Sequence, residues 1–290
     1  MKSAMLATEG GENRTMAKSA GQPPPWGAYQ PRGRDRLLRM ITRLGLARGA
    51  TRDLLCRLYR ARQSKSPVDV ICHGLKWRLH PWDNITEQKI LCGSKPPDRR
   101  ELELLRGSLQ EGGSLVDVGA NAGYYSLMAT RFGARRVLAL EPNPVMFARM
   151  QFNIASNRFD DRITALQLGA GPREEEMALY LHPEDLGSSG LVANDAAAGT
   201  VMVQVEPLRT ILAKAELDRI DALKIDVEGL EAEVLLPYLQ ESETRLWPKM
   251  LIMEHSHLGP GSFDLLTWLQ RAGYRLIART GLNAVLRLVP

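Results

Sequence analysis

The sequence predicts an α/β fold in which a doubly wound, mostly parallel sheet is covered by helices on both faces. From Ser114 onward, apolar strand-like runs alternate with segments of helical periodicity. In the runs "SLVDV", "VLAL" and "MLIM" the apolar residues are consecutive rather than alternating, as expected for central parallel strands that are buried on both faces. The closing pair "YRLIAR" and "NAVLRLV" flanks the turn "TGLN", so we expect a terminal hairpin whose last strand inserts antiparallel.

The elements of this sheet follow in a regular order, each strand being succeeded by a helix. The predicted strands cover residues 114–118, 136–141, 162–168, 220–226 and 248–254. The predicted helices cover residues 122–132, 143–157, 207–216, 229–239 and 262–272.

The chain divides into four parts by composition and periodicity. Residues 1–33 are rich in Gly, Pro, Ala and polar side chains and lack apolar periodicity, so we expect a disordered tail. Residues 34–66 predict a basic helical extension that docks on the body of the protein, with an anionic lipid surface, a partner or nucleic acid as alternatives. Residues 67–112 predict a β-hairpin and a helix leading into the core, and residues 113–290 form the main domain.

Charge and composition limit the classes of function. The net charge is +5, but the first 65 residues hold fourteen Lys and Arg against four Asp and Glu, which leaves the rest of the chain acidic. The positive charge therefore belongs to an arm rather than to a substrate-binding surface. No apolar run approaches the roughly 20 residues of a membrane span and no signal peptide is apparent, so we expect a cytoplasmic protein. Three cysteines without C-x-x-C spacing support neither a disulfide framework nor a zinc site.

The stretch "LVDVGANAGYYS", residues 115–126, places a loop of small residues after the first strand of the sheet, where such folds bind ligands. A dinucleotide fingerprint counted from Gly119 would require glycine where the chain has Asn121 and Tyr124. Tyr124 would begin the next helix and block a pyrophosphate, and no Gly-Lys-Ser/Thr follows. The loop is therefore not expected to hold phosphates.

The pattern that fits is an acid followed by small residues at alternate positions, Asp117, Gly119, Asn121 and Gly123. Asparagine tolerates the left-handed backbone that such a loop requires. The loop would accept an adenosyl group that carries an amino acid, with Asp117 facing the ammonium group. Glu141 ends the second strand, where an acid chelates the two ribose hydroxyls. Together these features favour S-adenosylmethionine as the cofactor.

With these motifs, the sequence resembles the FkbM family of S-adenosylmethionine-dependent methyltransferases. The resemblance rests on "VDVGANAGYYS", on "LALEPNP" and above all on "IDALKIDVEGLEAEVL", and it extends over about residues 68–280. It implies a Rossmann-like class I methyltransferase fold. It also implies O-methylation of a small-molecule acceptor, a hydroxyl on a sugar, polyketide or other secondary metabolite.

The resemblance also implies which residues hold the cofactor. They are the members of the glycine-rich loop, the end of the second strand, the turn beside the adenine after the third strand, and the end of the fourth strand. In this chain they are Asp117, Gly119, Ala120, Asn121, Gly123, Tyr124, Glu141, Pro142, Asn143, Gly169, Ala170 and Asp226.

Methyl transfer from a sulfonium to an alcohol requires a base beside the methyl group. Asp226 ends the fourth strand, Glu228 follows it, and His255 follows the fifth strand, so we predict these three as catalytic residues. Each has a structural alternative. Asp226 would form a salt bridge with Lys224, Glu228 would complement a helix dipole, and His255 would be an ordinary polar loop residue.

A divalent metal is an alternative that we do not favour. Asp226, Glu228, Glu254 and His255 would supply hard ligands to an ion such as magnesium, which would orient a diol. The prediction is therefore an enzyme that uses no metal.

The polar insertion at residues 182–195 predicts either an acceptor lid, with Ser188, Ser189 and Asn194 offering hydrogen bonds, or a plain hairpin between "MALYL" and "VMVQV". Two other functions remain open. One is a nucleic-acid methyltransferase targeted by the basic arm, although the fourth strand is followed by "DVEG" rather than an Asn/Asp-Pro-Pro-aromatic segment. The other is a non-catalytic partner protein, against which the intact motifs count.

Overall fold

A sheet of seven strands forms the centre of the protein. The computed structural model describes residues 23–61, 65–109, 112–254 and 263–289. The helices are α1 (Gly33–Arg43), α2 (Ala50–Arg60), α3 (Ile85–Cys92), α4 (Arg99–Ser108), α5 (Tyr124–Arg131), α6 (Pro144–Asn157), α7 (Leu208–Lys214), α8 (Glu231–Glu241) and α9 (Leu265–Arg271). The strands are β1 (Val68–Cys72), β2 (Leu75–Leu79), β3 (Ser114–Val118), β4 (Arg136–Leu140), β5 (Ile163–Leu166), β6 (Gly169–Ala170), β7 (Glu175–Tyr180), β8 (Thr200–Glu206), β9 (Ala222–Ile225), β10 (Met250–Glu254), β11 (Tyr274–Arg279) and β12 (Asn283–Leu288).

The central sheet has the order β11-β12-β10-β9-β3-β4-β5. Strand β12 runs antiparallel to both of its neighbours, β10 and β11, and the other neighbouring pairs run parallel. The predicted doubly wound sheet with an antiparallel last strand is therefore confirmed. The strand order reverses between β3 and β9, which places the ends of these two strands at the ligand-binding edge of such a sheet.

The middle strands are buried on both faces. Successive side chains of β3 enter opposite layers, Leu115 packing in a cluster with Leu127 of α5 and Val116 in a cluster with Ile211 of α7. All four side chains are almost fully buried. Burying each of them is worth about 1.5–3 kcal/mol, so the continuously apolar strands account for much of the stability of the sheet.

Among the boundaries that differ from the predicted ones, two have a clear physical cause. The strand predicted at 162–168 ends earlier, at Leu166 of β5. The separate strand β6 follows at Gly169–Ala170 and pairs with β8 in a three-stranded sheet of order β6-β8-β7. Helix α8 begins at Glu231 rather than at residue 229. The reason is that Glu228 and Gly229 adopt positive φ angles, 54° and 104°, which a right-handed helix does not accept.

The predicted hairpin at residues 68–80 is confirmed by the antiparallel pair β1 and β2. Residues 1–22 of the segment expected to be disordered lie outside the described residues. Residues 23–30 instead contact the hairpin. Asp69 accepts backbone N–H bonds from Gly27 (2.7 Å) and Tyr29 (3.1 Å), and it pairs with Arg78. Burial alone would raise the pKa of Asp69. The hydrogen bonds from Arg78 and the backbone have the larger combined effect, so the pKa of Asp69 lies below its ordinary value.

Helices α1 and α2, here called the basic extension (residues 33–60), pack against α3. Leu38, Leu55 and Tyr59 are buried in this contact. The guanidinium of Arg39 donates to the backbone oxygen of Leu91 in α3 over 2.6 Å. None of the helices in the described ranges has the length and apolar character that crossing a bilayer requires.

Candidate active site

The loop between β3 and α5 turns sharply at the ligand-binding edge of the sheet. Gly119, Asn121 and Gly123 have φ angles of 75°, 54° and 88°, so the left-handed backbone predicted for Asn121 is confirmed. A Cβ atom built on Gly119 would lie 2.0 Å from the backbone oxygen of Asp226. Only glycine therefore fits where the ends of β3 and β9 touch.

Glu141, at the end of β4, is held by backbone donors on both of its oxygens. Oε2 accepts the N–H of Asn121 over 2.6 Å, and Oε1 accepts the N–H of Asn143 over 2.8 Å. Burial raises the pKa of Glu141 to about 7, although these backbone hydrogen bonds oppose the rise. A carboxylate has about four lone-pair sites, so about two sites remain for donors of a ligand.

Asp117 lies beneath the loop and is fully buried. Its Oδ2 accepts a hydrogen bond from the hydroxyl of Ser126 over 2.6 Å, and its Oδ1 finds no hydrogen-bond partner within the described ranges. Burial raises the pKa of Asp117, with the ammonium of Lys224 acting in the opposite direction. The contact of Asp117 with the ammonium group of a ligand stays a prediction.

Lys224 ties the two strand ends together. Its Nζ donates to Oδ2 of Asp226 over 3.0 Å and to the backbone oxygen of Gly119 over 3.2 Å. Burial alone would lower the pKa of Lys224. The carboxylates of Asp226 and Asp117 have the larger combined effect, so the pKa of Lys224 lies above its ordinary value and the side chain stays charged. The salt bridge considered for Asp226 is present. It fixes one carboxylate oxygen of a side chain that remains 38% exposed.

Glu228 lies in the loop before α8 and not in the helix, so it does not take the helix-dipole role considered for it. Oxygen atoms of Asp226, Glu228 and Glu254 lie within 4.8 Å of one another. Three carboxylates at this spacing have the chemistry to hold a hard divalent cation. His255, predicted as a catalytic residue and as a possible ligand, lies outside the described residues.

A cavity of about 50 Å³ joins the ends of β3, β4 and β9 to the loop between β7 and β8. The predicted site residues that line it are Gly119, Asn121, Glu141, Pro142, Gly169, Ala170, Asp226 and Glu228. The structure thus brings the proposed ribose acid and two of the proposed catalytic acids into one cavity.

The remaining predicted residues that the structure describes do not line the cavity and have packing or hydrogen-bonding roles around it. Ala120 donates its N–H to the backbone oxygen of Leu140. A Cβ on Gly123 would collide with Leu127 and Met150, so this glycine serves packing. Tyr124 begins α5, as predicted, and donates its hydroxyl to the backbone oxygen of Pro97. Asn143 caps α6.

The sequence reasoning missed Asn84, which caps α3 and donates from Nδ2 to Oδ1 of Asn121 over 2.7 Å. The signal was present, because Asn84 followed by Glu87 three residues later resembles a capping box. The sequence also did not decide whether residues 182–195 form a lid over the cavity. Gly187 lies against Asn121 and Asn84, and Ser189 lines the cavity.

The lid and the hairpin considered for residues 182–195 are both present in part. Strands β7 and β8 form the hairpin, and residues 187–191 of its loop cover the cavity. The hydroxyl of Ser188 donates to Asp185, and Oδ1 of Asn194 accepts the N–H of Ala196. Neither residue lines the cavity.

Comparison with known proteins agrees with this site. The methyltransferase FkbM domain matches residues 117–276. Methyltransferase sdnD of Sordaria araneosa is 33% identical over 151 residues, covering 42% of this chain and 58% of that protein. Methyltransferase 1 of Beauveria bassiana is 30% identical over 141 residues, covering 42% and 56%. The chain therefore matches somewhat more than half the length of these relatives.

Among solved structures, P. horikoshii TYW2 in complex with MeSAdo is similar at a TM-score of 0.43 and 13% identity, covering 78% of this chain and 71% of that one. The family match spans more than half of the 290 residues and includes the glycine-rich loop, Glu141 and Asp226. The chain belongs to the methyltransferase FkbM domain family.

Proposed function

We propose that the protein is an S-adenosylmethionine-dependent O-methyltransferase whose acceptor is a hydroxyl on a sugar, polyketide or other secondary metabolite. One observation carries the proposal. A single cavity is lined by Glu141, which has acceptor sites left for hydroxyl groups, and by Asp226 and Glu228. This arrangement suits a ribose at one end and a reacting hydroxyl at the other.

The residues present fit the cofactor. Glu141 would accept the two ribose hydroxyls, and the small walls formed by Pro142, Gly169 and Ala170 would face the adenine. When bound, S-adenosylmethionine supplies a methyl group on a positively charged sulfur. Pockets for ligands of this size measure about 300 Å³ or more, whereas the cavity measures about 50 Å³. The cavity must therefore widen on binding, and we expect residues 187–191, which cover it, to move outward.

Asp226 would accept the proton of the acceptor hydroxyl. Asp226 lines the cavity, and Lys224 donates to its Oδ2, which restricts the direction in which the carboxylate points. Lys224 also holds the backbone oxygen of Gly119, so the base and the cofactor loop share one anchor. A fixed base of this kind typically contributes 10²–10⁴-fold to a rate.

Calorimetry with S-adenosylmethionine and transfer of a labelled methyl group into extracts of the producing organism test the proposal. Asp226→Asn should lower turnover by about a hundredfold or more while cofactor affinity changes by only a few-fold. The matched control is Asp161→Asn, at an exposed carboxylate remote from the cavity, which should behave as wild type. Absence of binding heat would remove the enzyme proposal, and unchanged turnover of Asp226→Asn would remove this residue as the base.

A further inference from the structure

Helix α1 leaves an apolar stripe uncovered, formed by Leu37, Met40 and Leu44. These side chains are 54%, 51% and 65% exposed. Their spacing of three and four residues places them on one face of the helix. Leu38 and Thr42 form another face, which is buried against the body. Docking on the body therefore does not account for the stripe.

More apolar surface lies in the same part of the molecule. Leu46 and Leu54 of the basic extension and Ile71 of β1 are each more than half exposed. Ile71 lines an open groove of about 800 Å³ together with Leu37 and Met40. Soluble proteins seldom leave contiguous apolar surface exposed without a binding role.

Arginines accompany the stripe. Residues 33–60 contain eight arginines and two aspartates, a net charge of +6. Arg36 and Arg43 are exposed, lie on α1 beside the apolar stripe and line the same groove. The surface therefore combines aliphatic side chains with guanidinium groups that suit phosphate.

We propose that the basic extension binds the surface of a bilayer that contains anionic phospholipid. In this arrangement α1 lies in the plane of the membrane, with the apolar stripe among the upper acyl chains and Arg36 and Arg43 at the headgroup phosphates. The apolar stripe distinguishes this partner from RNA. Leucine and methionine gain free energy in acyl chains, whereas single-stranded RNA is bound by aromatic side chains that stack on its bases.

Flotation of the full chain with vesicles tests the proposal. One set contains phosphatidylcholine alone, and the other contains equal parts of phosphatidylcholine and phosphatidylglycerol. The protein should float with the anionic vesicles only, and high salt should weaken the binding because the attraction is partly electrostatic. A single-stranded RNA probe is measured in parallel.

Two variants separate the apolar and the charged contributions. Leu37→Ser, Met40→Ser and Leu44→Ser combined should weaken vesicle binding more than about a hundredfold. Arg36→Gln with Arg43→Gln should weaken it about thirtyfold, since each arginine near an anionic surface contributes about 1 kcal/mol.

Matched controls come from exposed positions elsewhere in the fold. The first control is Met202→Ser, since the Met202 side chain on β8 is 54% exposed. The second is Arg173→Gln, since Arg173 is an exposed arginine near β7. Both should bind vesicles as wild type does. Circular dichroism verifies that each variant is folded, and the arginine pair, which is fully on the surface, decides the question if the apolar variant does not fold.

The proposal is overturned if the wild-type chain floats with neither vesicle set, floats equally with both, or binds the RNA probe but no vesicles. It is also overturned if the variants of the stripe and of the arginines bind as tightly as the controls. Preferential binding to the anionic vesicles that is lost in both sets of variants supports it.

Discussion

The pKa of Glu141 leads to a prediction about cofactor affinity. The carboxyl ionises at about 7 in the folded protein because it is buried, against an ordinary value of 4.5. Both oxygens already accept backbone N–H bonds, so the carboxyl must be ionised to offer its remaining sites to two ribose hydroxyls. At pH 6 about a tenth of the protein has this form, and at pH 8 about nine tenths do. We therefore expect S-adenosylmethionine to bind about tenfold more weakly at pH 6 than at pH 8.

The same shift affects stability in the opposite sense. The folded carboxyl has the higher pKa, so the folded protein binds the proton more tightly than the unfolded chain does. The contribution is present below about pH 4.5 and is lost as the pH rises through about 7. The loss amounts to about 3 kcal/mol in the free energy of unfolding.

Calorimetric titration from pH 6 to pH 8 measures the affinity, and the same series on Glu141→Gln gives the background. The amino group of the ligand titrates in both series, so only their difference reports Glu141. The variant should bind about tenfold to a hundredfold more weakly at pH 8, because hydrogen bonds to a charged group are worth about 1.5–3 kcal/mol. Equal pH dependence in the two proteins, or tighter binding by wild type at pH 6, would refute the assignment of the ribose contact.

Three further predictions concern the loop, the cap and the carboxylates. Gly119→Ala should lower the free energy of unfolding by more than about 2 kcal/mol, since it adds a left-handed backbone cost to a collision with the Asp226 oxygen. Gly107→Ala, in the open last turn of α4, should be neutral or stabilising. Comparable melting temperatures for the two variants would contradict this. Asn84→Ala should lower the free energy of unfolding, measured by chemical denaturation, by about 1–2 kcal/mol. Asn84→Asp should restore the helix cap but not the hydrogen bond to Asn121, so its cofactor affinity should stay reduced. Full cofactor affinity in the aspartate variant would argue against a role for the contact with Asn121. A chelator should leave turnover unchanged, and loss of turnover that magnesium restores would instead assign a metal to the three carboxylates.

The fold was predictable because each central strand carries its own signal. The run that contains Leu115 and Val116 does not alternate apolar with polar residues, and in the structure it is buried at every position, as expected for a strand covered on both faces. The loop at Asn121 was predictable for a similar reason, since only glycine and a few polar residues accept its backbone.

What sequence reasoning could not supply depends on contacts between distant segments. The separation of β6 from β5 depends on pairing with β8, more than 30 residues further along the chain. The position of Gly187 over Asn121 depends on the packing of a loop that has no periodicity of its own. The late start of α8, at Glu231 rather than at residue 229, depends on the left-handed backbone at Glu228, which is unusual for glutamate.

Asp185 has a consequence for which part of the β7–β8 loop tolerates substitution. Its carboxylate accepts the N–H groups of Ile85 at the start of α3 and of Gly187 over the cavity, so the first part of the β7–β8 loop is anchored. Residues 192–196 of the same loop are exposed to solvent. We therefore expect substitutions in the exposed part to be tolerated, because that part does not line the cavity, whereas a change at Asp185 would release the segment that covers the cavity.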